Sequence, residues 1–233
     1  MKFTDETKII EESHERPSFL VCIPTLGTVD IRFLLGFSRL QMPVNCNSRS
    51  LIISKCEVGV ARNHAGKCLL EMNPMPKYLF FFGDDMIPSW DGLVHLWQEM
   101  ETGKWDVLSG LYYIKQKDMP VPVAWRDNVA GWLVPGVHYP HGEATWMDVV
   151  GMDFTLIKRE VFETLKYPWF ETGPGHLPGE SFSSEAGQDI PDYFTVYTED
   201  VYFTRLCKMA GLTVGVHSGV RVGHLDVKTG EIY

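Results

Sequence analysis

The chain has 233 residues, of which 45% are hydrophobic, so it is long enough to bury one sizeable core and we expect a single domain. Its formal net charge of −9 argues against a general binder of nucleic acids or anionic membranes, which would carry a basic excess. The five cysteines are odd in number and have no paired metal-type spacing, so we expect reduced thiols in a cytoplasmic compartment rather than a zinc or disulfide framework.

The two ends of the chain set the predicted domain boundaries. Residues 1–17 form a polar lead-in that lacks the apolar region of a signal peptide, and residues 227–233 form a short tail. No apolar run is long enough to span a bilayer, so we expect no membrane segment and a soluble protein. The predicted domain therefore covers residues 18–226.

The first half of the chain predicts alternating strands and helices. Short apolar runs indicate buried strands, while Ile31, Leu34 and Leu35 have the spacing of one helix face. In the third helix, which Ser89 can cap, the same spacing runs from Leu93 to Met100. The predicted elements are a strand over 18–24, a helix over about 29–40, a strand over 51–54, a helix over 60–72, a strand over 78–82, a helix after 89 and a strand over 106–112.

The second half predicts shorter and more mixed elements. The stretch 172–194 is rich in Gly, Pro, Ser and acids without any period, and a loop of this length is functional or disordered. A helix begins at Thr198-Glu199-Asp200 and Gly211 is placed to end it. The remaining predicted elements are strands over 121–125, 132–134, 147–150 and 154–157, a helix over 158–165, and strands over 212–217 and 220–222.

Two strand ends carry groups that bind metal ions. The aromatic run 78–82 must be buried, and Asp84 and Asp85 follow it after Gly83. In an open α/β sheet, ligands bind beyond the carboxyl ends of the strands, which is where these acids would lie. His224 follows the last predicted strand and is the second candidate. A surface acid pair and a structural histidine with satisfied hydrogen bonds would explain the same residues without a metal.

Six short motifs carry a resemblance to a known family. In order, they are Val21-Cys22-Ile23-Pro24-Thr25, Ala61-Arg62-Asn63, Phe82-Gly83-Asp84-Asp85-Met86, Val150-Gly151-Met152-Asp153-Phe154-Thr155-Leu156-Ile157-Lys158-Arg159, Thr198-Glu199-Asp200-Val201-Tyr202-Phe203 and Gly223-His224. Their order and spacing over residues 18–226 resemble the nucleotide-sugar-dependent glycosyltransferases of the GT-A fold and are similar to glycosyltransferase family 2. No single motif is specific.

The resemblance implies an α/β fold with one GT-A (Rossmann-like) domain. Its mixed central sheet would be flanked by helices, with a donor half over about 18–112. The acceptor half, over about 113–226, would contain a smaller β region. Compact single-domain members of this kind also occur in bacteriophages, which would place the protein in the host cytoplasm.

Gly83 is where the chain departs from the family. The family usually has Asp at this position, giving Asp-X-Asp at the strand end, whereas this chain has Gly-Asp-Asp. By resemblance, Asp85 binds the metal directly and an earlier acid contacts the ribose or a metal-bound water. Either Asp84 takes that role, or the backbone of Gly83 approaches the ribose closely.

The metal site is expected to use Asp85 and His224. A divalent cation stabilises the diphosphate leaving group, whose negative charge grows as the glycosidic bond breaks. An imidazole ligand favours Mn²⁺, because Mg²⁺ prefers an all-oxygen octahedron. We therefore expect Mn²⁺, with Mg²⁺ as a substitute.

Three acids are candidates for catalysis. In an inverting transfer, one carboxylate takes the proton of the acceptor hydroxyl, and by resemblance Asp200 is the base, with Glu199 second. Acids in the first turn of a helix are also stabilised by the helix dipole without any catalytic role. Asp153 interrupts an apolar strand and is either a third catalytic acid or a hydrogen-bonded core acid. A retaining mechanism would use neither Glu199 nor Asp200 as this base.

Donor binding is expected at the end of the first strand and at the start of the second helix. Arg62 and Asn63 would lie near the base or the diphosphate, since the planar donor fork of Arg suits phosphate, although Arg62 could also be a surface residue. The loop 172–194 would close over the donor. Further candidates for donor binding are Pro24, Thr25, Gly27, Gly83 and Asp84. An aromatic platform for a sugar or base could include Trp125, Trp132, Trp146, Tyr112 and Tyr113, although most aromatics at such a density belong to the core.

The predicted activity is transfer of a hexose or pentose from a nucleoside-diphosphate sugar, UDP-linked by resemblance, to an acceptor hydroxyl. Saccharide, protein, lipid and modified nucleic-acid bases all remain candidate acceptors, although the acidic charge does not favour nucleic acid. A sugar-phosphate nucleotidyltransferase is a second hypothesis, but residues 23–30 contain one glycine and no basic residue for a phosphate loop. A non-catalytic module that binds nucleotide or sugar is a third hypothesis, and a receiver-like domain is a fourth.

Overall fold

A computed structural model describes residues 16–116, 119–127, 133–136, 139–174 and 196–233. The helices in these ranges are α1 Ile31–Arg39, α2 Val58–Glu71, α3 Gly92–Met100, α4 Arg159–Thr164 and α5 Glu199–Met209. The strands are β1 Ser18–Thr25, β2 Asn47–Ser54, β3 Tyr78–Phe82, β4 Met86–Pro88, β5 Val107–Leu111, β6 Tyr113–Gln116, β7 Met119–Pro122, β8 Ala124–Asp127, β9 Leu133–Pro135, β10 Ala144–Trp146, β11 Val149–Val150, β12 Phe154–Lys158, β13 Gly173–Pro174, β14 Val196–Tyr197 and β15 Val214–His224. Most of the polar lead-in, most of the loop 172–194, and Trp132 lie outside the described residues.

One mixed sheet of eight strands organises the fold. Seven strands follow the order β10-β15-β5-β12-β3-β1-β2, and β4 pairs with the far end of β15. β1 runs parallel to both β2 and β3, while β12 lies antiparallel between β3 and β5. The second half of the chain adds a three-stranded sheet, β11-β8-β9, and two two-stranded pairs. The predicted α/β fold with a mixed central sheet is therefore confirmed.

Helices flank the sheet because alternate strand residues are apolar on both faces. Leu79 and Phe81 belong to the core cluster that includes residues of α2, α4 and α5. Phe80 and Phe82, on the opposite face of β3, belong to the cluster that includes residues of α1 and α3. The aromatic run of β3 is fully buried, as predicted, and it contributes side chains to both cores.

The face that α1 turns towards the core differs from the predicted one. Ile31, Leu34 and Leu35 are 65%, 46% and 48% exposed. Phe33 is buried instead, with its ring centroid 5.1 Å from that of Phe82. Gly36 sits on the packed side, where an added Cβ would lie 3.2 Å from Cδ of Pro88. Phe33, which packs on Phe82, and Gly36, which lies against Pro88, thus belong to the inward face of α1.

Three more local predictions need correction. The residue before α3 is Asp91 rather than Ser89, and its side chain makes no capping hydrogen bond. Helix α2 begins at Val58, two residues before the predicted start at 60, and Val60 in its first turn is 58% exposed. The strands predicted at 212–217 and 220–222 are one strand, β15, whose register shifts between His217 and Arg221.

None of the helices in the described ranges is both long and apolar enough to cross a membrane.

Candidate active site

Two chain segments meet at the carboxyl end of β3. Because β12 is antiparallel to β3 with Phe154 opposite Phe82, Asp153 stands opposite Gly83. The amide N–H of Gly83 donates to the carbonyl oxygen of Asp153 at 2.7 Å. Asp153 was predicted to interrupt an apolar strand, but it lies just before β12. The strand pairing therefore delivers an acid from the β12 segment to the same sheet edge as Asp84 and Asp85.

The end of β15 reaches this edge through its pairing with β4. His224 lies opposite Met86 in the register, and the amide N–H of Leu225 donates to the carbonyl oxygen of Asp85 at 2.9 Å. As a result, Nε2 of His224 lies 3.1 Å from Oδ2 of Asp85. The two residues predicted to hold a metal ion are therefore brought together.

The imidazole of His224 is oriented by a backbone group. Its Nδ1 lies 3.1 Å from the carbonyl oxygen of Tyr113, which can only accept a hydrogen bond. Nδ1 therefore carries the proton when the ring is neutral, and Nε2 then presents its lone pair. When the ring is protonated, Nε2 donates to Oδ2 of Asp85. Burial acts to lower the pKa of His224, but the hydrogen bond and negative charge of Asp85 outweigh it, so this pKa is raised.

This donor pair fits a divalent cation. A carboxylate oxygen and an imidazole nitrogen face each other, and a backbone carbonyl holds the imidazole in the tautomer that binds metals. Mixed N and O donors suit Mn²⁺ better than Mg²⁺. Within the described ranges, no group of three or more His, Cys, Asp or Glu is arranged to hold a metal ion. Asp85 and His224 would thus be the protein ligands, and bound substrate or water would supply the remaining ones.

A buried arginine connects the acids of the site. The Arg62 side chain, 3% exposed, forms ion pairs with Glu199 and with Asp153, whose Oδ1 lies 2.6 Å from its Nη2. Arg62 was considered either a phosphate ligand or a surface residue, and the structure instead buries it between two carboxylates. Burial opposes the charge of Arg62, but Asp153 and Glu199 outweigh it, so its pKa is raised.

The two acids at the start of α5 differ in their surroundings. Glu199 is buried, and burial raises its pKa while Arg62 acts in the opposite direction. The hydroxyl of Thr172 also lies 3.4 Å from Oε2 of Glu199. Asp200 is half-buried, and its Oδ1 accepts from the hydroxyl of Thr198 and, at 2.8 Å, from the N–H of Val201. Glu199 is thus held by a buried cation, whereas Asp200 is nearer to solvent.

The residues predicted for donor binding separate into two groups. Pro24, Thr25 and Gly27 lie at or just beyond the carboxyl end of β1, next to β3 in the sheet. Asp84 is half-buried, and burial raises its pKa even though the hydroxyl of Thr25 acts to lower it. These residues line one end of the sheet.

Asn63 belongs to the second group, because its amide has a structural role. Its Oδ1 accepts from the N–H groups of Trp169 and Phe170 at 2.9 and 3.2 Å. Its Nδ2 donates to the carbonyl oxygen of Phe170 at 2.5 Å. These bonds anchor the segment after α4 to α2 instead of facing the strand ends.

The candidate aromatic platform is dispersed. Tyr112 is buried, and its ring stands edge-on to that of His224 with centroids 6.0 Å apart. The hydroxyl of Tyr113 is 2.7 Å from that of Tyr139. Trp125 is half-buried in β8, and Trp146 pairs near the start of β15, whereas His224 ends that strand. Tyr112 thus contacts His224 through its ring, whereas Tyr113 contacts His224 through its backbone carbonyl oxygen.

Comparisons with known proteins identify the fold. No protein-family model matches the chain, and no curated protein matches its sequence. The structure is similar to the crystal structure of A197 from STIV, with a TM-score of 0.59, 21% identity and 92% of both chains covered. It is also similar to GalNAc-T7, solved with UDP, GalNAc and Mn²⁺, with a TM-score of 0.58 and 9% identity over 89% of this chain and 43% of that chain. The fold is GT-A-like.

Some residues of this candidate site were not found from the sequence. The carbonyl oxygen of Tyr113 orients His224, and Thr172 lies between Glu199 and Glu57, whose Oε1 is 3.3 Å from the Thr172 hydroxyl. A backbone acceptor has no sequence signature, since every residue carries one. Thr172 and Glu57 could have been found only from their positions at the edge of a loop and at the N-cap of α2.

Proposed function

We propose that the chain is a metal-dependent glycosyltransferase that moves a hexose or pentose from a UDP-linked sugar to an acceptor hydroxyl. The observation that carries the proposal is the 3.1 Å contact between Asp85 and His224 at the carboxyl end of the sheet in a GT-A-like fold. The similarity to GalNAc-T7, which was solved with UDP, GalNAc and Mn²⁺, supports a nucleotide-sugar donor. A single domain over residues 18–226 would contain both the donor and the acceptor halves.

The metal ligands of the proposal are Asp85 and His224. When bound, Mn²⁺ or Mg²⁺ supplies positive charge next to the diphosphate leaving group. The carbonyl oxygen of Tyr113 holds Nδ1 of His224, so Nε2 remains available as the donor atom. The hydrogen bond from the amide N–H of Leu225 to the carbonyl oxygen of Asp85 holds Asp85 and His224 at the same edge of the sheet. The site would therefore be preorganised before any ligand arrives.

Asp200 is the proposed base. In an inverting transfer, its carboxylate accepts the proton of the acceptor hydroxyl as that oxygen attacks the anomeric carbon and the nucleoside diphosphate leaves. Glu199 is the weaker candidate because its carboxylate is paired with the buried Arg62, which stabilises its charged form and restricts its movement. Proximity to solvent favours Asp200, since an acceptor must be able to reach the base.

The donor is proposed to bind along the ends of β1 and β3. Pro24, Thr25 and Gly27 would face the nucleotide, with Asp84 beside them. Gly27 adopts a φ of +107°, which an L side chain rarely tolerates, so the backbone there makes a turn that favours glycine. Gly27 is also exposed, so a ligand can reach its backbone.

A donor screen tests the proposal. The chain is incubated with a panel of nucleotide sugars and Mn²⁺, released nucleoside diphosphate is measured, and candidate acceptors are then examined by mass spectrometry. We expect metal-dependent release with at least one donor and loss of it in Asp85→Ala. The matched control is Glu71→Ala, an exposed acid at the end of α2, which should behave as the unsubstituted chain.

Three outcomes would contradict the proposal in different ways. If no donor is bound and no nucleoside diphosphate is released in the presence of Mn²⁺, the glycosyltransferase is ruled out. Binding of a nucleotide sugar without any release or transfer would instead support a non-catalytic binding module. Release of pyrophosphate from a nucleoside triphosphate and a sugar phosphate would support the nucleotidyltransferase.

A further inference from the structure

Gly83 and Asp153 compete for one small volume at the end of β3. A Cβ added to Gly83 would lie 2.9 Å from Cβ of Asp153 and 3.2 Å from its carboxylate carbon and from Oδ1. Real Cβ atoms essentially never approach so closely, so the two positions cannot both carry side chains without displacement. The Asp153 side chain can therefore occupy its place only because position 83 has no side chain.

The carboxylate of Asp153 lies between the two halves of the site. On one side its Oδ1 pairs with Nη2 of Arg62 at 2.6 Å. On the opposite side its Oδ2 accepts from the hydroxyl of Tyr112 at 3.3 Å, and the Tyr112 ring contacts the ring of His224. The Asp153 side chain remains 33% exposed. A carboxylate held on both sides and still open to solvent is placed to act on a bound ligand.

The charges of the metal candidates reach Asp153. Burial is the largest influence raising its pKa, Arg62 opposes it, and the negative charges of Asp85 and Asp200 raise it further. His224 acts to lower the same pKa. The negative charge of Asp153 would therefore attract a cation held by Asp85 and His224.

We propose that Asp153 is a further acidic group of the cation site, in addition to Asp85, supplied by the residue that precedes β12 in place of a side chain at position 83. Both carboxylate oxygens of Asp153 already have partners, Arg62 and Tyr112, so Asp153 acts through its charge rather than as a direct ligand. Arg62 and Tyr112 are the residues that position it. This inference rests on the proposed function, because the cation site belongs to it.

Mn²⁺ binding without nucleotide provides the test. Free Mn²⁺ is measured by electron paramagnetic resonance during titration of the chain, so the readout does not depend on turnover. Removing one negative charge near a divalent cation in Asp153→Asn should weaken binding about tenfold. The matched control is Glu160→Gln, which removes one charge from an exposed position on α4 and should leave affinity unchanged. Thermal unfolding of each variant establishes that it is folded.

A double variant that moves the acid from position 153 to position 83 distinguishes an effect of charge from an effect on local structure. Asp153→Gly should weaken Mn²⁺ binding about tenfold, and adding Gly83→Asp should restore it to within about threefold, because the acid returns to the same volume. Gly83→Asp alone should destabilise the fold, since Asp153 still occupies that space. A merely structural role for Asp153 would not be rescued by an acid on a different strand.

Three outcomes would overturn the inference. They are an Asp153→Asn variant that binds Mn²⁺ as tightly as the unsubstituted chain, a double variant that binds no more tightly than Asp153→Gly, and an unsubstituted chain that binds no Mn²⁺. If Mn²⁺ binds and the double variant restores affinity, but no donor is turned over, then the proposed function fails while the role of Asp153 stands.

Discussion

Nε2 of His224 lies 3.1 Å from Oδ2 of Asp85, although 139 residues separate them in the chain. The contact exists because β15 continues past the main sheet and pairs with β4, which begins directly after Asp85. Backbone pairing therefore sets the geometry of the side chains. A site assembled in this way should be rigid before ligand binding, since strand registers are strongly specified when one face is buried.

Replacing His224 should weaken cation binding without unfolding the chain. We expect His224→Ala to raise the Kd for Mn²⁺ by roughly 10- to 100-fold, because one of two protein ligands is lost. Isothermal titration calorimetry with Mn²⁺ measures the change. His64→Ala, which removes an exposed imidazole on α2, is the matched control and should not alter affinity. Equal Kd values for His224→Ala and the unsubstituted chain would exclude His224 as a ligand.

Replacing Asp200 should slow sugar transfer without weakening nucleotide binding. We expect Asp200→Asn to reduce the rate of sugar transfer by roughly 10²- to 10⁴-fold, the usual contribution of a general base. Affinity for UDP with Mn²⁺, measured by calorimetry, should stay within about twofold, because Asp85 and His224 are intact. Glu199→Gln is the comparison at the neighbouring position. A larger loss of transfer in Glu199→Gln than in Asp200→Asn, in a chain that remains folded, would reverse the assignment.

Arg62 should be among the most costly side chains to remove. Arg62→Met leaves Glu199 and Asp153 buried or half-buried without their cation, so we expect a loss of about 3–5 kcal/mol in the free energy of unfolding. Urea unfolding followed by circular dichroism measures it. Arg39→Met, at an exposed position ending α1, should cost less than about 0.5 kcal/mol.

The partners of Arg62 provide a second check on the same ion pairs. Adding Glu199→Gln to Arg62→Met should recover part of the lost stability, because one uncompensated charge disappears. A loss below about 1 kcal/mol in Arg62→Met alone would mean that solvent reaches these carboxylates and screens them.

Acid should weaken the contact between β8 and α5. Asp127 forms a two-pronged ion pair with Arg205, with both N···O distances at 2.6 Å, and Nζ of Lys208 lies 2.7 Å from its Oδ2. The hydrogen bonds from Arg205 lower the pKa of Asp127 from 3.8 to about 2, although burial opposes them and Lys208 assists. Because the folded pKa lies below the unfolded one, the stabilisation is complete above about pH 5 and is lost as the pH falls towards 2.

The lowered pKa of Asp127 sets the expected loss of stability when this carboxylate is removed. At neutral pH, Asp127→Asn should lower the free energy of unfolding by about 2 kcal/mol, and the difference from the unsubstituted chain should shrink towards pH 2. Urea unfolding at several pH values measures it. Glu71→Gln, at an exposed position, should show little difference at any pH. A difference for Asp127→Asn that is constant from about pH 7 to about pH 2.5 would contradict the linkage.

The local hydrophobic pattern was sufficient to predict most helices and strands, but not which face of a helix is buried or which strands pair. The apolar runs that predict β1, β3 and β5 are real strands, since such runs must be buried and only a sheet interior accommodates them at that length. The face of α1 was misassigned because Ile31, Leu34 and Leu35 are apolar yet exposed. The antiparallel pairing of β6 with β7 was not predicted, because Pro120 and Pro122 weaken the strand pattern of β7.

The sequence by itself determined the α/β fold class, the buried strand 78–82 and the acids at its end, because hydrophobic period and strand-end position are local properties. Tertiary structure decided which groups meet. The pairing of β12 with β3 brings Asp153 against Gly83, and the pairing of β15 with β4 brings His224 against Asp85. Such contacts depend on strand order and register, which arise from the packing of the whole sheet and are not written in any short stretch of residues.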